Sequence, residues 1–537
     1  MVTYTIASMN RWLSRANARI SFRSAAMLLV AATLVGQILG FMRYQIINAN
    51  FPATGPESTD AYFAAFKIPD FFFYTIAAGT FGVAFMPFLA DKLAKGDKKS
   101  VWELTSSLLN LAVIVMASIG AFLFIFAQPL IELVISNNLS PQHLENATAI
   151  MKFAALSPLL FTVAGILTSL QQTFGRFFFY AMAPIVYNLS IIASVYIFKD
   201  GMGIQGLGIG ALAGAVIQLL IVMLGLVGLG FRYRPRINFS NYDFRKILRQ
   251  LPPRAVDQGI DSINSIYETN RAQTLGVGKI TYYENAFVLH SAPTLLVGTA
   301  ISTAAFPRLN ERLSQGRPDL FRRDFVRIFK VILWIIIPMV VVGFFARGYL
   351  ARLIFKRDAP EIALIFGFLA GAILFRTLYT LVSRWFYSHK DTKTPLYVSL
   401  VAIGLNIFLA YTLSKPSSYG IAGLAIAQSI VATIEVFLLM MIISWRDHYI
   451  FNGEFWTGII RLLSVTGFTI LTCYMMVSFF PLTLSDKGFI TLGTKLLMIV
   501  VPTVAVHIAV SYAFGLEEVK PVVSRIKQII FKPVRIQ

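Results

Sequence analysis

A chain of 537 residues that is 56% hydrophobic and only 14% charged, with a mean hydropathy of +0.68, excludes an ordinary soluble globular protein. Its net charge of +21 raises nucleic acid as a partner, but the basic residues gather at the ends of apolar runs, so no nucleic acid is expected. A single cysteine, Cys473, and five scattered histidines leave neither a disulfide framework nor a metal site.

Residues 1–24 carry Arg11, Arg15, Arg19 and Arg23 ahead of an apolar run with no obvious cleavage site. They read as a basic cytoplasmic lead-in to a retained first helix. Apolar runs of roughly 20 residues then recur along the chain, each long enough to span a bilayer core. They fall at 25–48, 60–90, 103–136, 147–173, 179–198, 203–230, 248–275, 282–307, 325–346, 360–386, 394–413, 419–444, 456–480 and 489–514. The expected fold is an all-α polytopic membrane protein of about fourteen transmembrane helices. Two six-helix lobes, 25–230 and 248–446, are joined by a basic linker, 231–247. Two further helices over 456–514 and a basic tail, 515–537, complete the chain.

The lobes read as a duplication. Pro87-x-Leu89-x-x-x-Leu93-x-x-Gly96 recurs as Pro307-x-Leu309-x-x-x-Leu313-x-x-Gly316. Gly203-Ile-x-Gly206-Leu-x-Ile209 recurs as Gly420-Ile-x-Gly423-Leu-x-Ile426, and even Gln218 and Glu435 keep the offset. An even number of spans per copy gives a parallel repeat about a pseudo-two-fold axis along the membrane normal, the mark of a secondary transporter. Clusters such as Lys92, Lys95, Lys98 and Lys99, Arg232 to Arg249 and Arg308 to Arg323 share one side, which the positive-inside bias makes cytoplasmic. Both termini are then cytoplasmic. Arg347, Arg352, Lys356 and Arg357 are a local exception.

Segment seven is polar where a span should be apolar. Arg254, Asp257, Asp261, Asn264, Ser265, Glu268 and Arg271 step by three or four residues, apart from the adjacent Asn264 and Ser265, into one helical stripe. A charge at mid-bilayer costs about 3 kcal/mol or more, so the stripe must face protein or a wet cavity. Pairing of Arg254 with Asp257 and of Glu268 with Arg271 is the plainer alternative. Segments one and two add Arg43, Asp60, Lys67 and Asp70, with Arg43 and Asp60 expected to snorkel to the outer headgroups. Asn264 and Glu435, the latter an isolated acid in segment twelve, are candidates for a proton or cation site. His290 and His507 read as interior histidines. There is no nucleophile–base set or phosphate loop, so no enzyme is expected, and cationic side chains in a cavity suit a phosphate-bearing cargo.

Several stretches resemble the MurJ (MviN) family of lipid II flippases. They are Leu39-Gly-Phe-x-Arg43, Thr59-Asp60-Ala-Tyr-Phe-Ala-Ala-Phe66-Lys67-Ile-Pro69, Ala84-Phe-x-Pro87, Arg176-Phe177 with Ala183-Pro184 and Asn188, Pro235-Arg-Ile-Asn-Phe239, and Phe386-Tyr387 with Asp391-Thr-Lys393-Thr-Pro395. The resemblance implies the fold of the multidrug/oligosaccharidyl-lipid/polysaccharide exporters. It also implies transfer of undecaprenyl-pyrophosphate-linked peptidoglycan precursor between leaflets of the bacterial inner membrane by alternating access. The last two helices would hold the lipid tail. Arg43, Asp60 and Lys67 match the family's cavity residues, whereas Gln37, Phe73, Tyr74, Ala78 and Val288 stand where cationic or acidic residues are expected.

Arg254 and Arg271 are therefore expected to join Arg43 and Lys67 on the diphosphate, with Asp60, Asp70, Asp257, Asp261 and Glu268 as counter-charges. No cofactor is implied beyond a coupling cation or the membrane potential. Membrane lipids and cell-wall synthesis enzymes are the further partners. Alternatives are an exporter of another polyprenyl-linked saccharide, a drug/cation antiporter of the same fold, and a non-transporting scaffold for cell-wall enzymes.

Overall fold

The computed structural model describes residue 17 and residues 22–76, 80–136 and 139–530, and in them the chain is all helix and connecting turns. Two compact units divide it, Met1–Thr281 and Tyr282–Gln537.

The first unit contains α1 (Phe22–Asn50), α2 (Thr59–Ile76), α3 (Thr80–Ala94), α4 (Lys98–Ile125), α5 (Ala127–Val134), α6 (Pro141–Ala154), α7 (Ser157–Thr173), α8 (Phe178–Met202), α9 (Gly206–Leu224) and α10 (Tyr242–Thr274). Polar side chains fix where several of these begin. Asp97 accepts from Ser100 N at 3.0 Å to cap α4, and Asn241 accepts from Asp243 N and Phe244 N at 2.9 and 3.2 Å to cap α10. The core gathers Phe85 and Leu89 of α3, Trp102 and Leu108 of α4, Leu167 and Leu170 of α7, and Phe244 and Ile247 at the start of α10. The long helix α10 is thus tied into this unit at its first turns and packs along α2.

The second unit begins within α11 (Lys279–Pro293), which runs through a π-helical turn, Thr294–Thr299, into α12 (Ala300–Ser314). Then follow α13 (Pro318–Phe345), α14 (Arg347–Ile354), α15 (Ala359–Ser388), α16 (Lys393–Leu413), α17 (Ala422–Arg446), α18 (Gly453–Phe479), α19 (Phe489–Ala513) and α20 (Lys520–Ile530). The last two long helices pack on α13 through Leu462, Val465, Cys473 and Ile499 against Trp334, Ile337 and Val341. His507 is an interior histidine, between Thr469 Oγ1 at 2.8 Å and the Trp334 carbonyl at 3.1 Å.

The duplicated motifs adopt the same local shape. Gly96 and Gly316 have φ of +75° and +67°, just past α3 and α12. In both, the residue after the glycine donates its N–H back to a helical carbonyl at 3.0 Å, Asp97 to Lys92 and Arg317 to Arg312. Leu89 and Leu309 are both fully buried. In the second pair, Gly203 and Gly420 share φ of +56° and +55°. Beside them Gly206 and Gly423 leave no room for a Cβ, against Phe198 and the Leu413 carbonyl.

Eleven stretches among the described residues are long and apolar enough to cross a membrane, and one of them, Phe178–Leu224, contains both α8 and α9. The expected spans at 60–90 and 248–275 are not among the eleven. The first carries Asp60, Lys67 and Asp70 on α2, and the second carries the polar stripe of α10. The count of about fourteen rests on reading these two polar helices as spans.

Candidate substrate-handling site

The polar residues of α2 and α10 meet inside the first unit. Lys67 Nζ donates to Ser265 Oγ at 2.8 Å. Beside Ser265 on α10, Asn264 Nδ2 donates across one turn to Glu268 Oε1 at 3.1 Å, and both residues are buried. A close approach of the two helices allows this: a Cβ on Gly259 would lie 2.8 Å from Thr75 Oγ1. Near its C-terminal end α10 is held by Asn270, whose Nδ2 donates to the Ile135 carbonyl at 2.7 Å.

Asp60 departs from the expectation of a snorkelling carboxylate. It is 1% exposed and accepts from Gly278 N, Thr281 N and Thr281 Oγ1 at 2.5, 2.8 and 2.6 Å. Thr59 Oγ1 lies 2.8 Å from Thr281 Oγ1 beside it. The carboxylate therefore caps the first turn of α11 with its negative charge on the positive end of the helix. Arg43, also expected to reach the headgroups, lies half-buried with its Cζ 5.2 Å from the Tyr44 ring centroid.

The stripe on α10 is only partly inward. Asn264 and Glu268 are buried, Ser265 and Arg271 half-buried, and Asp261 exposed. Arg254 and Asp257 lie on the helix, but their side chains fall outside the described residues, as does Ala78 altogether. Asp70 is half-buried on α2, near Tyr62 and Tyr74.

Glu435 is not the isolated acid it seems in the sequence. On α17 it is 1% exposed, its Oε2 is 3.1 Å from Arg376 Nη1 of α15, and its Oε1 accepts from Ser399 Oγ of α16 at 2.7 Å. Arg376 Nη2 also reaches Gln428 Oε1 at 3.3 Å. The guanidinium occupies the place beside the carboxylate that a free cation or proton would take. Arg376 stands out little in the sequence, being one cation in an apolar run. The signal was there: a buried acid on α17 requires a partner.

Between α18 and α19 lies an apolar cavity of about 610 Å³, lined by Met476, Phe479, Leu497, Met498, Val501 and Pro502 among others. Such a surface suits an acyl or prenyl chain and offers a headgroup almost nothing polar.

A multi-pass helical bundle with an internal repeat, a polar contact between two charge-bearing helices and a separate apolar groove defines a membrane transporter. The model of the family described as lipid II flippase MurJ matches residues 55–506, and the chain belongs to that family. It is 25% identical over 475 residues to the probable lipid II flippase MurJ of Borreliella burgdorferi, covering 87% of this chain and 91% of the relative. A probable lipid II flippase MurJ of Rhizobium meliloti is 25% identical over 512 residues, with 90% and 92% covered. Among solved structures, a lipid II flippase MurJ in an inward closed conformation superposes with a TM-score of 0.75 at 21% identity, over 91% of this chain and 98% of that one. An inward-facing multidrug resistance MATE family transporter of the MOP superfamily gives 0.65 at 16% identity, over 78% and 99%. The shared fold is therefore that of these transporters.

Proposed function

We propose that this chain moves lipid II from the inner to the outer leaflet of a bacterial cytoplasmic membrane, by alternating access and with both termini cytoplasmic. Family membership supports the substrate, and the positive-inside distribution of charge supports the orientation. The observation that carries the mechanism is the Lys67–Ser265 hydrogen bond, which sets a cation of α2 against the polar stripe of α10.

In this reading Arg43, Lys67, Arg271 and Arg254 hold the diphosphate. Asp70, Asp257, Asp261 and Glu268 balance them in the unloaded state, while Asp60 holds the start of α11. The polar head cannot cross hydrocarbon unaided, while the prenyl tail remains in the bilayer or in the α18–α19 groove. No cofactor is needed. Membrane potential is the favoured drive, since one charge moved through 100 mV is worth about 2.3 kcal/mol. The Arg376–Glu435 pair speaks against a cation site at Glu435 and leaves Asn264 with Glu268 as the place to seek one. Association with cell-wall synthesis enzymes follows from the same reading, because the product must be consumed at the outer face.

Complementation of a bacterium depleted of its own flippase, scored with lipid II accessibility at the outer leaflet, tests this directly. Rescue is expected from the native chain and loss of rescue from Lys67→Met. A native chain that reaches the membrane and does not rescue overturns the lipid II reading.

A further inference from the structure

Phe73 and Tyr74 stand in segment two where the family resemblance leads one to expect charged residues, and they belong to an aromatic cluster in the first unit. Arg43 of α1 hydrogen-bonds the Tyr44 phenol, and its guanidinium has Tyr62 of α2 and Tyr187 of α8 in electrostatic reach. Asp70 lies near Tyr62, Tyr74 and Tyr187. Rings pack in two sets: Tyr187 meets Phe161 edge-on at 5.2 Å and Phe161 meets Phe73 at 5.4 Å, while Tyr62 meets Phe66 at 4.9 Å.

Two features separate this cluster from ordinary core. Tyr62 is buried, but Arg43, Tyr44, Asp70 and Tyr187 are half-buried and Tyr74 is 46% exposed, so the group lines an accessible surface. Arg43 Nε is buried and meets no hydrogen-bond acceptor among the described residues. An N–H held out of water without an acceptor is normally supplied with one, and here the supply can come from a ligand.

We propose that the tyrosines and Asp70 of this cluster form a saccharide subsite, which binds the sugar portion of a lipid-linked cargo next to the diphosphate, with Arg43 on the border between the two. A diphosphate calls for several cations, whereas beyond Arg43 the cluster offers one carboxylate and several phenols. That set offers donors and acceptors together with little excess charge, which matches sugar hydroxyls and an N-acetyl carbonyl. The aromatic faces match the apolar face of a pyranose ring, in the usual pattern of a small-molecule site with a few placed polar groups. The carboxylate of Asp70 would repel phosphate and accept from hydroxyls. The subsite rests on the flippase reading only for the source of the sugar.

Binding of two ligands to the full-length protein in nanodiscs tests it: lipid II, and undecaprenyl diphosphate without sugar. The native chain is expected to bind lipid II more tightly. Tyr74→Phe/Tyr187→Phe, which keeps both rings, is expected to weaken lipid II about tenfold and leave the sugar-free lipid unchanged. Equal losses for both ligands, no loss for either, or no native preference for the sugar-bearing lipid each overturn the subsite and leave the flippase reading standing. Tyrosine-dependent binding of a different lipid-linked saccharide, with none of lipid II, keeps the subsite and removes the lipid II reading. A native chain that binds no polyprenyl lipid overturns both.

Discussion

In the first unit, Lys67 is met by the Ser265 hydroxyl and Asp60 by the amides of Gly278 and Thr281, whereas in the second unit Glu435 is met by the Arg376 guanidinium. A hydrogen bond from a hydroxyl or an amide orients a charge and is worth about 1 kcal/mol net, so it gives way at lower cost than a buried ion pair does. An ion pair cancels most of its own field and costs several kcal/mol of desolvation, repaid only if the pair stays intact. At their polar ends both units use ion pairs, Lys92 with Asp243 in the first, and Asp324 with Arg308 and Arg312 and Asp391 with Arg446 in the second. The difference sets hydrogen-bonded polar contacts on α2 and α10 of the first unit against a buried ion pair that joins α15 and α17 of the second.

Opening the buried pair should give the largest effect. Glu435→Ala strands Arg376 and is expected to cost about 3–5 kcal/mol, read as a large fall in thermal unfolding temperature in detergent. Adding Arg376→Met should recover most of the loss. A single mutant within about 1 kcal/mol of the native chain would show that the pair is not closed and that the contrast fails.

Asp60→Ala comes next. It leaves two amides and a hydroxyl at the start of α11 without their acceptor, for a loss of about 1–3 kcal/mol. Asp60→Asn keeps one carbonyl oxygen and should lose less. Faster hydrogen exchange at Gly278 and Thr281 in the alanine variant, compared with Asn, checks the cap itself. Unchanged exchange would mean that the backbone of the turn, and not the carboxylate, holds the helix start.

A smaller effect sharpens the contrast from the ligand side. Ser265→Ala removes the hydroxyl that orients Lys67 but leaves the ammonium, so transport should fall about three- to tenfold, equivalent to a hydrogen bond of about 1 kcal/mol. Lys67→Met should fall further than this. Equal activities for Ser265→Ala and the native chain would remove the claim that this contact positions the cation.

Those contrasts were only partly legible in the sequence. The duplication was readable because glycine marks its joints. At Gly96 and Gly316 a positive φ is required, and at Gly206 and Gly423 a neighbour occupies the space of a Cβ, so both copies carry the same letters. The inward part of the α10 stripe was readable from helical spacing, since Asn264 and Glu268 are one turn apart and are buried together. Asp261 lies on the same spacing and is exposed, because periodicity gives a face but not where along the helix its neighbour ends. The Arg376–Glu435 pair joins two helices with no shared periodicity, so the sequence showed a lone acid and hid its partner. The tyrosines around Arg43 were hidden for another reason. In a chain that is 14% aromatic, a phenol carries no signal until the fold gathers several about one guanidinium.

The mildest prediction concerns a charge outside the membrane-spanning helices, in the turn between α18 and α19. Lys495 Nζ donates to Asp486 Oδ2 at 2.7 Å, and Thr483 N donates to the same oxygen at 2.7 Å. These hydrogen bonds, Lys495 first, outweigh burial and hold the carboxyl at a pKa of about 2, below its ordinary value near 4. A folded pKa below the unfolded one means that the stabilisation is fully present above the unfolded value. It is lost as the pH falls through the range from about 4 to about 2. The unfolding temperatures of the native chain and Asp486→Asn should therefore differ by a small constant amount from neutral pH to about 5, and converge as acid is added below about 4. A gap that is flat down to pH 2.5 would show that the turn is held by its backbone alone. A gap that closes near neutrality would place the titration on another group.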